Sequence, residues 1–140
     1  MPSALDQKLT RAIGVSNYKT ADLKALEGPK PSVNQCQMSI AHHDDDTIGY
    51  CQANGIVYES YQAMKGCPFT NPALTAIATK HGKSAAQVCL RWVLDRGCIS
   101  ATGTGLDATK AAAYAKENLG IYDFALTPDE VKALNVLPEE

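Results

Sequence analysis

The sequence predicts an α/β fold with about four parallel strands and flanking helices. Short apolar stretches typical of buried strands alternate along the 140 residues with longer segments that carry apolar residues at helical spacing. Capping residues, glycine or proline mark the ends of those longer segments. This alternation is typical of βαβ units, in which successive strands run parallel, and neither a linker nor a repeat divides the chain.

The first two predicted strands are RAIGVSNY, at residues 11–18, and SVNQCQ, which begins at Ser32. The first of them ends in a Ser-Asn pair. Thr20 is placed to cap a short helix between the two strands, and Gly28 followed by Pro29 terminates that helix. The pattern indicates a first strand–helix–strand unit.

The second helix and the third strand follow directly. The aspartates at residues 44–46 offer an N-cap and first-turn carboxylates, and Gly55 supplies the left-handed residue that ends the helix. GIVYES then has the composition of a third strand. Asn71 before Pro72 marks the start of a third helix, because proline is favoured at the first helical position, and Gly82 ends it.

The last third of the chain predicts one more strand and three helices. Ser84, with Gln87 three residues later, has the spacing of a capping box for a helix that ends at Gly97. CISA then predicts a fourth strand, and TGTG leads into an alanine-rich helix. Thr127 before Pro128 marks the start of the final helix.

The composition is ordinary for a globular domain. The chain is 45% hydrophobic and 20% charged, with a net charge of -2, which suffices for one domain with a core. A charge so near zero gives no electrostatic basis for binding nucleic acid or an acidic membrane surface. No apolar run approaches the roughly 20 residues that span a bilayer. The first residues, MPSALDQKLT, lack the features of a secretion signal or a transit peptide.

The five cysteines predict neither a disulfide framework nor a zinc site. Their number is odd, no two are spaced as C-x-x-C, and three lie in apolar patterns, where cysteine behaves as a small hydrophobe. We therefore expect an intracellular reducing compartment, either the cytoplasm or an organelle interior. The cysteines are Cys36, Cys51, Cys67, Cys89 and Cys98.

Two polar segments have the composition of binding sites but simpler interpretations. HHDDD, at residues 42–46, offers imidazoles and carboxylates that can ligate zinc or another divalent ion. Adjacent residues rarely converge on one ion, and helix capping explains the aspartates, so we expect no metal site. TGTG, at residues 102–105, is compatible with an anion-binding nest but is more typical of a loop.

Five segments, in this order and spacing, resemble the C-terminal half of the aldo-keto reductase barrel. They are RAIGVSN, PSVNQ, YCQANGIVYESY, IATKHGKSAAQVCLRWVLDRG and KENLGIYDFALTPDEVKAL, and they span about residues 11–134. Each segment alone is weak evidence, but the five in register are specific. The resemblance implies half of a TIM (β/α)8 barrel, in a single partial domain over residues 1–140 without the N-terminal half.

The resemblance also implies a nicotinamide cofactor, usually NADPH, across the carboxyl ends of the strands. Ser16 and Asn17 match the pair that hydrogen-bonds the nicotinamide carboxamide, and Gln35 matches the third polar contact to that group. Tyr61 matches the ring that stacks on the nicotinamide. Without the resemblance, the same residues have structural interpretations as a helix cap, a backbone contact and a core side chain.

At the other end of the cofactor, Glu117 and Asn118 match the pair that contacts adenine. The phosphate-binding groups depart from the family pattern. TGT, at residues 102–104, stands where the lysine and serine of a Pro-Lys-Ser stretch hold the 2′-phosphate, and Tyr114 stands where a basic residue is expected. QAMK, at residues 62–65, replaces a Ser-Pro-Leu-Gly loop. Each lost charge-assisted contact costs about 1.5–3 kcal/mol, so we expect NADP(H) to bind only if the ancestral site is still used.

The resemblance does not supply a catalytic residue. The family reduces carbonyls by hydride transfer, helped by a tyrosine acid together with a lysine, an aspartate and a histidine. Those four residues come from the first four strands of the barrel, whereas this chain begins at what matches the fifth. Tyr18, Lys19 and Asp22 lie at a different place in the barrel, so we assign them no catalytic role.

These observations predict a non-catalytic structural or interaction subunit derived from an NADP-dependent aldo-keto reductase. Four strands of an eight-stranded barrel leave two open edges, so we expect a homodimer or a protein partner to cover the open half-barrel. The alternative is an NADP(H)-dependent aldo-keto reductase whose missing half comes from another chain or from omitted sequence. The position of Met1, shortly before RAIGVSN, favours a naturally short product.

Overall fold

A computed structural model describes residues 4–105 and 107–138, which form a four-stranded parallel sheet with flanking helices. The strand order β1-β2-β3-β4 follows the chain, and each crossover contains at least one helix. This architecture confirms the predicted fold class. None of the described helices has both the length and the apolarity that crossing a bilayer requires.

The bounds of the elements follow the predicted order along the chain. The strands are β1 (Gly14–Ser16), β2 (Val33–Gln37), β3 (Val57–Tyr61) and β4 (Ile99–Ala101). The helices are α1 (Thr20–Ala25), α2 (Asp45–Ala53), α3 (Pro72–His81), α4 (Ala85–Asp95), α5 (Ala108–Leu119) and α6 (Pro128–Leu134).

The two faces of the sheet have different environments because side chains alternate along a strand. Asn34, Tyr58 and Ser60 are buried, on the face that the helices cover. Gln35 and Glu59 are half-buried on the opposite face, which we call the inner face. Its residues, from the alternation and the strand register, are Gly14, Ser16, Val33, Gln35, Gln37, Val57, Glu59, Tyr61, Ile99 and Ala101.

Local capping sets the helix ends largely as predicted. Asp44 caps α2, because its carboxylate accepts a hydrogen bond from the Thr47 backbone N–H at 3.0 Å. Ser84 and Gln87 form the reciprocal capping box at the start of α4. The helix-cap interpretation of the aspartate cluster is therefore confirmed.

One predicted cap is wrong. Thr20 is the first residue of α1 rather than its cap, and Lys19 occupies the cap position. The reason is that the Asp22 carboxylate turns back and accepts a hydrogen bond from the Lys19 backbone N–H at 2.8 Å. The prediction placed the cap one residue too late because it read the threonine alone.

The core is centred on α4, which packs against α3, α5, α6 and β4. Val88, Leu90, Trp92 and Val93 of this helix are 0% exposed. Full burial of a large apolar side chain contributes about 1.5–3 kcal/mol. The Trp92 indole N–H donates to Asn135 Oδ1 at 2.8 Å, so the polar end of the buried ring is also satisfied.

The structure contains a disulfide bond, so the expectation of no disulfide is wrong. Cys67, in the loop after β3, is bonded to Cys89 in α4, with their Cα atoms 6.0 Å apart. The contact is tertiary and joins positions 22 residues apart, which a search for C-x-x-C spacing does not detect. Cys36, Cys51 and Cys98 are free and buried. The cysteine pattern therefore no longer favours a reducing compartment.

Glu130 joins α6 to α3 through buried ionic contacts. Its carboxylate accepts hydrogen bonds from Lys80 Nζ at 2.7 Å and from the Thr127 backbone N–H at 2.8 Å, and it contacts His81 Nε2 at 3.0 Å. Burial raises the pKa of Glu130, but these hydrogen bonds outweigh burial and lower the pKa to about 2. A lowered pKa stabilises the fold above the ordinary value of 4.5, and this stability is lost as the pH falls through about 2.

We expect Glu130→Gln to lower the free energy of unfolding by about 2 kcal/mol at pH 7, because the amide removes the charge that Lys80 and His81 face. The loss shrinks as the pH falls from about 5 to about 2, where the wild-type carboxylate becomes protonated. Urea unfolding at several pH values measures both effects. Asp129→Asn is the control, because Asp129 is 97% exposed, and equal losses in the two variants contradict the prediction.

The disulfide predicts three titratable thiols in the denatured, unreduced chain and five after reduction. Replacing both Cys67 and Cys89 by serine is expected to lower the free energy of unfolding by about 3 kcal/mol, because the bond constrains the unfolded chain. Thiol titration and urea unfolding measure the two effects. The control is a reductant, which destabilises the wild-type protein but not the double variant. Five thiols without reduction overturn the assignment.

Candidate cofactor-binding site

Three of the predicted site residues lie at the carboxyl end of the sheet, and a fourth lies beside them in β2. Ser16 is the last residue of β1, Asn17 follows it, and Tyr61 is the last residue of β3. Gln35 lies between them in β2, where it pairs with Ser16 in the strand register. Because parallel strands present their carboxyl ends at the same edge, the structure brings these four side chains together.

The Ser16-Asn17 pair is held in place by β2. Ser16 Oγ donates to the Gln35 carbonyl oxygen at 2.8 Å, and the Asn17 backbone N–H donates to the same oxygen at 2.9 Å. Asn17 Nδ2 in turn donates to Ser16 Oγ at 3.2 Å. Asn17 has a φ of 60°, a left-handed conformation that asparagine tolerates better than most residues. The turn that ends β1 therefore fixes both polar side chains.

The Tyr61 side chain reaches across the sheet from β3 to the end of β1. Its hydroxyl donates to Asn17 Oδ1 at 3.0 Å, although β2 lies between the two strands. The ring is thus fixed at both ends, by the strand at Cβ and by a hydrogen bond at the hydroxyl. It is half-buried at the end of the inner face. A ring held in this way has a fixed orientation for stacking on a flat ligand.

The Gln35 side chain is oriented by Glu59, its strand partner on β3. Gln35 Nε2 donates to Glu59 Oε2 at 3.1 Å. This contact uses one N–H of the side-chain amide. It turns the side-chain carbonyl oxygen away from the carboxylate, where that oxygen can accept a hydrogen bond. The sequence analysis did not assign a role to Glu59. The alternation in GIVYES and the following Tyr61 was the available signal, because it places Glu59 and Tyr61 on the same face.

Beside these residues is a cavity of about 480 Å³, within the size range of small-molecule sites. Asn17 and Tyr61 line it, together with the loop after β2 and the start of α2. Lys19 Nζ and Asp44 Oδ2 form an ion pair of 2.9 Å at its side. Burial raises the pKa of Asp44, but the hydrogen bonds from Lys19 and Thr47 outweigh burial and lower it.

Two further groups in this cavity are weak acids. Burial raises the pKa of the Cys36 thiol and raises the pKa of the Tyr58 hydroxyl strongly. Both groups line the cavity beside Tyr61. Each therefore stays protonated at neutral pH and gives up its proton less readily than an exposed thiol or phenol.

Glu117 and Asn118 lie apart from this group, at the end of α5. Asn118 lines a second cavity of about 330 Å³, formed by α5, the end of α4 and the segment after β4. The Glu117 carboxylate instead accepts a hydrogen bond from Ser84 Oγ at 2.5 Å and so helps to fix the start of α4. Ser100 Oγ, also in this cavity wall, is buried without a hydrogen-bond partner in the part of the chain that the structure describes.

Two of the segments that match phosphate-binding positions, residues 102–104 and Tyr114, present neutral groups, whereas the loop at residues 62–65 carries the exposed Lys65. Thr102 and Thr104 line the second cavity, and Tyr114 on α5 is 42% exposed. The loop at residues 62–65 is a turn closed by the Lys65 backbone N–H, which donates to the Gln62 carbonyl oxygen at 3.0 Å. Shortly after that loop comes Cys67, which forms the disulfide with Cys89 of α4.

His43 and Asp45, in the segment at residues 42–46, are engaged by the fold. Asp45 pairs with Arg96 and lies 3.6 Å from His43 Nε2. The His43 ring packs edge-on against Trp92, with ring centroids 5.2 Å apart. Within residues 4–105 and 107–138, no group of three or more such side chains is arranged to hold a metal ion.

Comparison with known proteins gives one consistent match. The model of the Aldo/keto reductase family matches residues 6–138. The uncharacterized oxidoreductase YtbE of Bacillus subtilis (strain 168) is 34% identical over 133 residues, which cover 92% of this chain and 46% of that protein. The NADPH-dependent codeinone reductase 1-2 of Papaver somniferum is 35% identical over 141 residues, covering 93% of this chain and 42% of that protein.

Solved structures give the same result. An aldo/keto reductase from Brucella melitensis superposes with a TM-score of 0.81 at 30% identity, covering 94% of this chain and 50% of that one. The aldo-keto reductase AKR2E5 of Bombyx mori, complexed with NADPH, superposes with a TM-score of 0.81 at 30% identity, covering 97% of this chain and 45% of that one. The chain thus spans about half the length of the relatives it matches.

Proposed function

The chain belongs to the aldo/keto reductase family, and from this premise we propose that it is a non-catalytic half-barrel. It holds the nicotinamide end of a dinucleotide cofactor and docks on a second half-barrel. The observation that carries the proposal is the hydrogen-bonded arrangement of Ser16, Asn17 and Tyr61 at the carboxyl end of the sheet. These side chains are oriented by hydrogen bonds to one another, so binding costs little reorganisation.

The side chains suit a carboxamide attached to a flat ring. A carboxamide carries both donors and an acceptor, and the amide of Asn17 and the hydroxyl of Ser16 offer both functions. The carbonyl oxygen of the Gln35 side chain is directed to accept, because the amide nitrogen is committed to Glu59. The face of Tyr61 provides the stacking surface. The NADPH-dependent codeinone reductase 1-2 of Papaver somniferum and the NADPH complex of AKR2E5 from Bombyx mori favour the same cofactor class.

Two buried titratable groups of the site are poorly suited to donate a proton in carbonyl reduction. A proton donor for carbonyl reduction needs a pKa near the working pH. The raised pKa values of Cys36 and Tyr58 move these groups in the opposite direction. Lys19 and Asp22 are used structurally, in an ion pair with Asp44 and at the start of α1. We therefore assign the role of proton donor to none of these four groups.

Docking is proposed at the inner face and the sheet edges. Val57 is 44% exposed and Ile99 is 47% exposed, although both are large apolar strand residues on the inner face. The outer strands β1 and β4 each pair on one side only in the described sheet. Exposed apolar strand faces and open edges favour association. A second (β/α)4 half, either another copy or a different chain, is the partner whose shape matches this surface.

We expect Tyr61→Leu to weaken NADPH binding at least about tenfold, because the variant loses both the stacking surface and the hydrogen bond to Asn17. Isothermal titration calorimetry with NADPH measures the dissociation constant. Tyr50→Leu is the matched control, because Tyr50 lies on α2 against Lys24 and does not line the cavity. Absence of NADPH binding by the wild-type chain at millimolar concentration contradicts the proposed cofactor role.

We expect Val57→Lys to weaken association at least about tenfold, because a charge then replaces an apolar group on the inner face. Native mass spectrometry and analytical ultracentrifugation measure the oligomeric state and the dissociation constant. Val136→Lys is the control, because Val136 is 79% exposed and lies after α6. A wild-type chain that stays monomeric and captures no second half-barrel contradicts the docking proposal.

The same hydrogen-bonded arrangement of Ser16, Asn17 and Tyr61 also favours a second candidate function. In it, the chain forms a working NADP(H)-dependent reductase once a first half-barrel is supplied. The part of the Bacillus subtilis relative that this chain does not cover is a suitable test partner. Aldehyde-dependent NADPH oxidation by the mixture, but not by either part alone, supports this function. Turnover by the chain alone contradicts the non-catalytic role.

A further inference from the structure

We propose that Glu59 makes this site prefer the oxidised nicotinamide over the reduced one, an inference that rests on the proposed cofactor role. Glu59 precedes Tyr61 by two residues on β3, so both side chains point to the inner face. Two residues along a strand separate their Cα atoms by about 7 Å. The carboxylate therefore lies one layer below the ring that receives the nicotinamide.

The strand register fixes the position of this carboxylate. Glu59 pairs with Gln35 on β2, and Gln35 pairs with Ser16 on β1. The row Ser16, Gln35 and Glu59 thus crosses three strands beneath the Tyr61 ring. Gln35 Nε2 donates to Glu59 Oε2 at 3.1 Å, which directs the carboxylate along the inner face toward the centre of the site. A slip of one residue would turn Glu59 toward the helices.

The residue that hydrogen-bonds Glu59 carries no compensating positive charge. Gln35 is a neutral amide, so the hydrogen bond orients the carboxylate without neutralising it. This differs from Asp44 in the neighbouring cavity, whose charge is compensated by Lys19. Glu59 is also half-buried, so water screens its field less than it screens that of a fully exposed carboxylate.

The two redox forms of the cofactor differ in the charge of one ring. The oxidised nicotinamide ring carries a positive charge, whereas the reduced dihydropyridine ring is neutral. The adenosine and phosphate parts are identical in the two forms, so their contacts cancel in the ratio of affinities. A fixed negative charge near the ring therefore raises the affinity for the oxidised form and changes that ratio. With partial screening by water, it favours the oxidised form about five- to tenfold.

Isothermal titration calorimetry of the full chain with NADP+ and, separately, with NADPH tests the inference. We expect the wild-type chain to bind NADP+ about five- to tenfold more tightly than NADPH. Glu59→Gln keeps the shape and removes the charge, so the two affinities should come within about twofold of each other. Asp129→Asn removes one exposed charge on α6 and should keep the wild-type ratio. Circular dichroism and urea unfolding establish that each variant is folded.

A second variant separates charge from orientation. Gln35→Met conserves volume but removes the amide, so both forms should bind more weakly while the preference for NADP+ persists. The salt dependence of the wild-type preference tests the charge even if Glu59→Gln fails to fold, because a preference caused by charge shrinks as the ionic strength rises. The inference is overturned if the wild-type chain binds the two forms equally, or if its preference survives Glu59→Gln. Failure of the wild-type chain to bind either form at millimolar concentration instead overturns the proposed cofactor role, and the inference with it.

Discussion

The pairing register of β2 is the constraint on which the rest of this structure depends. β2 lies between β1 and β3, and it places Gln35 opposite both Ser16 and Glu59. The same strand turns Asn34 into the buried layer, where its amide donates to the Tyr18 carbonyl oxygen at 2.8 Å and holds the segment after β1. A shift of one residue would exchange these two faces. Core packing and the polar arrangement at the carboxyl end are therefore set by one strand.

Much of the fold follows from local sequence rules, and the parts that do not are tertiary. The strands and most caps were predictable because they depend on alternation and on residues three apart, as at Ser84 and Gln87. The grouping of Ser16, Asn17, Gln35 and Tyr61 also follows, once their strands are parallel. The disulfide was not predictable, because chain spacing does not show that the loop after β3 folds back onto α4. Glu59 was missed because its role arises only from its cross-strand partner.

The inner face carries both the polar site residues and the exposed apolar residues, so the proposed ligand binding and the proposed association share one surface. Tyr61 and Val57 are on the same strand and the same face. A second half-barrel seated on Val57 and Ile99 removes water from the layer that contains Glu59, which strengthens every electrostatic interaction there. By thermodynamic linkage, a cofactor that prefers the assembled form also strengthens assembly by the same factor. The free energies of the two events are therefore coupled.

The disulfide closes a loop that contains the whole of α3, since Pro72–His81 lies between its two cysteines. Phe69, just after Cys67, is a large apolar side chain that is 45% exposed and suits proteases that cleave after aromatic residues. A single cut there separates the backbone into two pieces but not the molecule. The nicked protein keeps its mobility on a non-reducing gel and divides into two fragments only when the bond is reduced. Without the bond, only noncovalent contacts join the piece that contains β1–β3, α1 and α2 to the piece that contains β4 and α3–α6.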